Sequence, residues 1–454
     1  MGLTRRTLIE RGLAAMLIPA AAAEHSRVTK SQLRALRAAV RGRVFVPGGS
    51  GYDAARVVFN RRWDGVHPPA VVRVRDSADV RAVARWADRY DVPLVARSGG
   101  HGYNGDSTSR SAVVVDLDAL DFVRVRDGEA TIGPGARLGD VYAALARHGV
   151  TVPGGSCPTV ALGGLVLGGG MGLAGRAFGL TLDRVTSFDA VTADGRRRRV
   201  DHRHDDELFW ALRGGGGSFA LVTAVRLRTA RVGRAAYFRI SYPRGARAEA
   251  LHDWDAHMPH APRALTAILT ITSSGATAFG QYLGSERTLR RLIAPLGGTP
   301  TTGTDDYLAL QRRWGGPPAG RSMFAASSLY VHKRLSVAGR RAFLDAADEG
   351  AALILDAYGG AINRPARADT AFPHRNERFS VQILSYAPIG TARGRVRRAR
   401  HRIAPYGHGA YANYADPDLH DPLRAYYGMN LPALRAAKDR YDPANRFRPR
   451  QGIR

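Results

Sequence analysis

The sequence predicts an α+β fold in two domains, and three observations carry that reading. Strand-like and helix-like segments mix with no strict strand–helix–strand repeat, which argues against a doubly wound sheet. Two Asp-Gly pairs, Asp127-Gly128 and Asp194-Gly195, stand between β-type runs and signal hairpins. From about residue 234 the chain turns to strand runs separated by helical runs, the pattern of a sheet backed by helices. At 454 residues, 44% of them hydrophobic, the chain is too long for one simple domain.

Residues 70–75 (AVVRVR) read as a strand. Residues 77–90 read as a helix, with Val80, Val83 and Trp86 at helical spacing and Ser77 as its N-cap. Strands follow at 93–97 and 111–117, then a hairpin over 122–132 and a helix at 137–148. A glycine-rich segment runs from 154 to 175. Beyond it come a hairpin over 184–200, a short helix at 205–212, a GGGG run at 214–217 and a strand at 219–227. In the second part, strands are expected at 235–242, 265–272, 277–282, 325–331, 351–355 and 379–386. Helices at 246–256, 285–295 and 336–348 lie between them. The tail from Gly407 is aromatic and rich in turns.

Net charge is +28, from 67 basic and 39 acidic residues, and only Lys30, Lys333 and Lys438 are lysines. The arginines are spread along the chain without a basic tail. RRRR at 196–199 follows a turn signal, and RVRRARHR at 395–402 reads as one solvated helix face. No nucleic-acid partner is expected. A basic polyanion-binding protein with a vestigial site is the rival from another class, to be recognised by tight, salt-sensitive binding. The single cysteine, Cys157, excludes an intrachain disulfide.

Residues 1–23 read as an export signal: a basic start, an apolar run at 12–20, and small residues before Glu24. The stretch from Thr4 to Ile9 (TRRTLI) resembles the twin-arginine motif. The apolar run is shorter than the ~20 residues a span requires. An extracellular or cell-envelope location without a membrane span is therefore expected.

Two stretches concentrate glycine: SGGHGYNG at 98–105 and GGLVLGGGMG at 163–172. Exposed backbone N–H groups in such loops can cradle phosphates, and the same composition also serves tight turns with no ligand. Neither is G-x-x-x-x-G-K-[ST], and GGGMG lacks the strand before and helix after that a dinucleotide fingerprint needs. His101 sits in the first stretch and Cys157 just before the second. No metal-ligand spacing surrounds them, so no metal is expected and a metal hydrolase is disfavoured.

Six segments occur in order: RSGGHGYNG (97–105), GGSCPTVALGGLVLGGGMG (154–172), DELFWALRGGGGSFALVT (206–223), AFPHR (371–375), YANY (411–414) and YYGMNLPAL…KDRYDPANRF (426–447). Together they resemble the berberine-bridge-enzyme-like family of flavoprotein oxidases, which share the FAD fold of vanillyl-alcohol oxidase and p-cresol methylhydroxylase. The match runs from about 40 to 454 and is thinnest from 230 to 370.

The resemblance implies a two-lobed FAD-binding domain of the p-cresol methylhydroxylase type over 40–230, completed by residues 405–454. It also implies a substrate domain over 231–404 whose antiparallel sheet, backed by helices, roofs the flavin. FAD would be held bicovalently, by His101 at the 8α carbon and Cys157 at C6. Arg97, Ser98, Gly99, Gly100, Gly102, Tyr103, Gly155, Gly163, Gly164, Gly168, Val222 and Asn413 would line the cofactor. Tyr414 is the implied base, and its pKa must come down from about 10 to act near neutral pH. Asp356 is the expected tuning group, and Gln382 should face the substrate.

Val160 matches the family's oxygen-gating position, where valine goes with oxidases. There are departures. Ser380 stands where plant alkaloid-type members carry a glutamate, Ile383 where an aromatic is usual, and Ala161 where a glycine is common. The implied enzyme is a monomeric oxidase that moves a hydride from a C–OH of a sugar or hydroxylated natural product to flavin N5. It passes the electrons to oxygen, giving peroxide. A dehydrogenase with another acceptor is the nearest rival.

Overall fold

Three larger sheets order the chain, and the computed structural model describes residues 28–317 and 320–454. Residues 1–23, where an export signal is expected, lie outside the described residues. The first sheet runs Arg43–Phe45, Val71–Arg73, Val113–Asp116, Leu94–Arg97, the last three parallel. Helix Ser77–Tyr90 makes the crossover to Leu94–Arg97. Its cap is Asp76 rather than Ser77: the Asp76 carboxylate accepts the N–H groups of Ala78 and Asp79. A carboxylate satisfies those orphan donors and also meets the positive end of the helix dipole. Strand Leu94–Arg97 delivers the chain directly into the His101 loop.

The second sheet is antiparallel, in the order Val123–Arg126, Glu129–Ile132, Leu221–Arg228, Val185–Val191, Arg197–Val200. Its first hairpin turns at Asp127 and Gly128, with φ of 51° and 76°. That left-handed pair is what the tight turn demands.

The third sheet has seven antiparallel strands: Thr301–Asp306, Arg234–Pro243, Gly275–Tyr282, Leu265–Ile271, Ala352–Ala357, Phe379–Ser385, Ala325–Val331. Side chains alternate across each strand. Phe379, Val381 and Ile383 therefore enter one core with Trp254, Phe343 and Val396, from helices Arg247–His257, Val337–Asp348 and Ile389–Ile403. Each such burial contributes roughly 1.5–3 kcal/mol. Ser380 and Gln382 must take the opposite face. Register puts Asp356 and Tyr330 beside Ser380, and Ser328 beside Gln382. One face is thus apolar and helix-covered, and the other carries a polar cluster.

The chain's tail returns to the first part. Leu434, Ala437, Tyr441 and Ile453 share a core with Leu208, Phe209 and Phe219. Buried Lys438 donates to Asp442 and to the carbonyls of Ser218 and Phe447, fixing the tail's path. Elements not expected include helices Lys30–Ala39 and Leu431–Tyr441, helix Leu162–Gly168, strand Thr301–Asp306 and helix Tyr307–Gly315. Glycine costs a helix about 1 kcal/mol per residue, which hides Leu162–Gly168. Thr301–Asp306 is a polar edge strand, so no apolar alternation marks it. Among the described residues, no helix is long and apolar enough to cross a membrane.

Candidate active site

A cleft of about 540 Å³ opens where the loop from Arg97 to His101 faces Arg137, Pro158 and Thr159. The histidine loop and residues 158–159, just after Cys157, thus line the same cleft. The His101 ring stacks on Phe59, with centroids 4.0 Å apart and planes 20° from parallel. Burial, then the Arg137 charge, lowers the His101 pKa to about 4, against a hydrogen bond with the Thr159 backbone that raises it. At neutral pH the imidazole is uncharged, and only that form is nucleophilic.

Arg97 is 5% exposed. Its Nη2 donates to the Ala55 carbonyl at 2.6 Å and to Asp116 at 3.0 Å, while its Nη1 is buried with no partner. A buried donor left open costs about 1–3 kcal/mol, so an anion is the expected complement. Arg73, Arg137 and Arg321 line the same cleft, against Asp116, Asp118 and Asp140. A Cβ added at Gly102 would make only ordinary contacts, the nearest 3.6 Å from Ser107 Oγ. These residues fit the pyrophosphate and ring of FAD.

The second glycine run is different at 168–170. Its space is taken by the chain's own side chains. A Cβ at Gly168 would overlap the Asn413 amide, one at Gly169 would lie 2.9 Å from the Tyr411 ring, and one at Gly170 would fall on Thr181. The Tyr411 hydroxyl accepts the N–H groups of Gly170 (2.8 Å) and Met171 (3.2 Å). Asn413 Nδ2 donates to the Leu165 carbonyl at 2.9 Å and to the Tyr411 hydroxyl at 3.1 Å. These glycines seat the YANY turn. Gly163 packs the two loops together, since a Cβ there would lie 2.5 Å from Ser98 Oγ. Gly164 alone in this run has open space around it.

Ser328 clamps the YANY turn to the third sheet: its hydroxyl accepts from Tyr411 N at 2.9 Å and donates to the Tyr414 carbonyl at 3.3 Å. Tyr414 stacks on Tyr103 of the histidine loop, centroids 5.9 Å apart and planes 11° from parallel. Tyr103 in turn accepts from Gln382 Nε2 at 2.9 Å. Asp356 lies among these groups. Burial raises its pKa to about 7, with Tyr414 pulling the other way. Its Oδ2 is buried and unpartnered, as is the Ser380 hydroxyl across the strand pair.

The expected tuning of Tyr414 is reversed. Its pKa is pushed well above 10, first by burial and then by the negative charge of Asp356. A carboxylate beside a phenol disfavours the phenolate. Asp356 therefore does not acidify Tyr414.

Cys157 is half-buried, its Sγ 3.5 Å from Thr159 Oγ1. The Val160 carbonyl accepts from Leu138 N at 2.9 Å. A Cβ at Gly99 would lie 2.8 Å from the amide of Ala161, and Gly155 contacts Leu138 and Leu165 at ordinary distances. Val222 sits in the core of the second sheet opposite Ala190, away from the cleft lining. Sequence reasoning missed Phe59, Arg137, Phe324, Ser328 and Tyr386. Phe324 packs edge-on to Tyr103 at 4.9 Å and against Tyr386 at 5.8 Å, making an aromatic mouth. No motif flags those positions, because they meet only across sheet register. Nor did spacing foretell that His332, Glu377 and His408 converge, which corrects the expectation of no metal-type cluster.

Comparison with known proteins agrees with this geometry. The FAD binding domain family matches residues 68–201, and the "Berberine and berberine like" family matches residues 410–454. An uncharacterized FAD-linked oxidoreductase of Bacillus subtilis is 32% identical over 441 residues, covering 91% of this chain and 98% of its own. A chitooligosaccharide oxidase of Gibberella zeae is 29% identical, covering 90% and 91%. The solved glucooligosaccharide oxidase of Acremonium strictum, described with a 6-S-cysteinyl, 8α-N1-histidyl FAD, superposes with a TM-score of 0.85. It is 27% identical and covers 93% of this chain and 99% of its own.

Proposed function

Because the chain belongs to the berberine-bridge-enzyme-like FAD-linked oxidoreductases, we propose that it oxidises a C–OH group of a sugar and delivers the electrons to oxygen. One observation carries the reading: the Tyr103–Tyr414 stack brings the base beside the loop that carries His101. The oligosaccharide oxidases among the relatives support the substrate class.

When bound, FAD supplies the two-electron acceptor for the hydride that leaves the substrate carbon. His101 and Cys157 would hold it covalently, a neutral imidazole and a thiol being the two nucleophiles that the two loops offer. Arg97 Nη1 and the backbone at 99–102 would take its pyrophosphate. Tyr414 accepts the substrate hydroxyl proton as it gives its own to the Asp356 carboxylate. That relay needs no free phenolate, which the raised phenol pKa disfavours. Gln382 holds Tyr103 in place for the stack. Tyr386, 64% exposed, and Phe324 offer the apolar face on which a sugar ring would rest. Val160 beside the cysteine is part of the oxidase reading.

Two further proposals accompany this one. Residues 40–230 with 405–454 form the FAD module and 231–404 the substrate module. Residues 1–23 export the folded protein, for which a covalently fixed cofactor is suited.

The test is aerobic turnover of chito- and gluco-oligosaccharides by the purified flavoprotein. One peroxide should form per C–OH oxidised. Bleaching of the flavin by sugar under argon, with no peroxide in air, would make the enzyme a dehydrogenase. No bleaching by any sugar would remove the sugar reading.

A further inference from the structure

We propose that His332, Glu377 and His408 form a binding site for a divalent transition metal of the zinc type, one that fastens the segment bearing Tyr414 to the third sheet. One ligand atom from each residue lies within 4.8 Å of the others. Two imidazoles and a carboxylate are a zinc donor set, and three protein ligands leave a fourth position for water.

The carboxylate gives the second, independent observation. The Glu377 side chain is fully buried, with Oε2 2.9 Å from His408 Nε2. Its Oε1 is also buried and has no partner. A half-satisfied buried carboxylate is costly, and a cation between the two imidazoles and this group would complete it. The rings of His332 and His408 stand 5.0 Å apart at 80°, so both can turn nitrogens toward the same point. His332 is exposed and His408 partly so, which leaves room for the small ring rotations that ligation needs. His374 is nearby but not a ligand, because its Nε2 is bonded to the Tyr426 carbonyl at 3.1 Å. Lys333 and Arg367 act electrostatically on His332 and oppose a cation, so the donor set and not the local field must supply the affinity.

Location gives the site its role. His332 follows strand Ala325–Val331, and Glu377 precedes strand Phe379–Ser385. His408 exchanges both backbone hydrogen bonds with Tyr330, at 2.8 and 2.9 Å, and stands just ahead of the turn from Tyr411 to Tyr414. A metal here would tie two neighbouring strands of the sheet to the segment that presents the base, while standing outside the cleft itself.

The experiment uses tag-free flavoprotein, stripped with EDTA and then equilibrated with zinc alone at buffered micromolar concentrations. Bound metal is measured by mass spectrometry, and Tm is recorded with and without zinc. One equivalent is expected, with a zinc-dependent rise in Tm. His332→Ala and His408→Ala should each weaken binding at least roughly 100-fold and abolish the Tm rise. His332 is exposed, so His332→Ala should keep the zinc-free Tm and the flavin absorbance of the parent. Substoichiometric zinc on the parent protein would overturn the proposal. So would equal zinc on the parent and on His332→Ala, which would leave Glu377–His408 as an ion pair alone. Neither readout depends on turnover, so the site stands or falls apart from the oxidase reading.

Discussion

The two glycine-rich stretches are alike in glycine density and differ in use. At 98–101 the backbone lines a cleft, beside a guanidinium nitrogen with no partner, while a Cβ at Gly99 would meet Arg137 and Ala161 and one at Gly105 would meet Trp63. At 168–170 the missing side chains face Asn413, Tyr411 and Thr181, which already fill the space. One run borders the cleft at 98–101, and the other is closed on the chain itself at 168–170. The closed run still serves the site, because it seats the turn that ends in Tyr414, and Tyr414 stacks on Tyr103 of the first run. Glycine density reports close approach and does not say by what.

The sharpest test of that division of labour is Tyr414→Phe. It should lower kcat by about 10²–10⁴ while leaving flavin attachment and Tm unchanged, as read by turnover, denatured-protein absorbance and thermal melts. A loss of attachment would mean that the closed run and its turn also build the cofactor site.

Asp356 comes next. Its pKa is raised to about 7, above its value in the unfolded chain. Between about pH 4 and 7 the folded protein therefore holds a proton that the unfolded chain has released. Stability falls as pH rises through that window, by on the order of 4 kcal/mol in the flavin-free protein. The same deprotonation creates the acceptor, so kcat/KM rises as pH passes about 7. Asp356→Asn should remove both trends. A rise in kcat/KM that persists in Asp356→Asn would take Asp356 out of the relay.

Paired alanine substitutions test the contrast directly. Gly170 has φ of +86° and would place its Cβ on Thr181. Gly170→Ala should cost more than about 3 kcal/mol in urea unfolding. Gly102→Ala, with nothing nearer than 3.6 Å, should stay within about 0.5 kcal/mol of the parent and instead lower flavin incorporation. Equal losses of stability at the two positions would break the comparison.

What the sequence revealed follows the range of the interactions involved. Hairpins at Asp127-Gly128 and Asp194-Gly195, and the apolar-polar alternation of 379–386, are local and were readable. Helix Leu162–Gly168 was not, since Gly163 answers to Ser98 and Pro134 and Gly168 to Asn413, all from elsewhere in the chain. Tyr414 could be picked out from YANY, but the direction of its pKa could not. That direction comes from burial and from Asp356, which meet it only when the third sheet is assembled. The triplet His332, Glu377 and His408 was invisible for the same reason, its members being spread over two strand ends and the tail.

The most direct measurement of the central claim is peptide mapping of the purified protein after denaturation. The account predicts yellow colour that stays with the polypeptide, and flavin mass on both the His101 and the Cys157 peptides. A colourless polypeptide with neither peptide modified would contradict it.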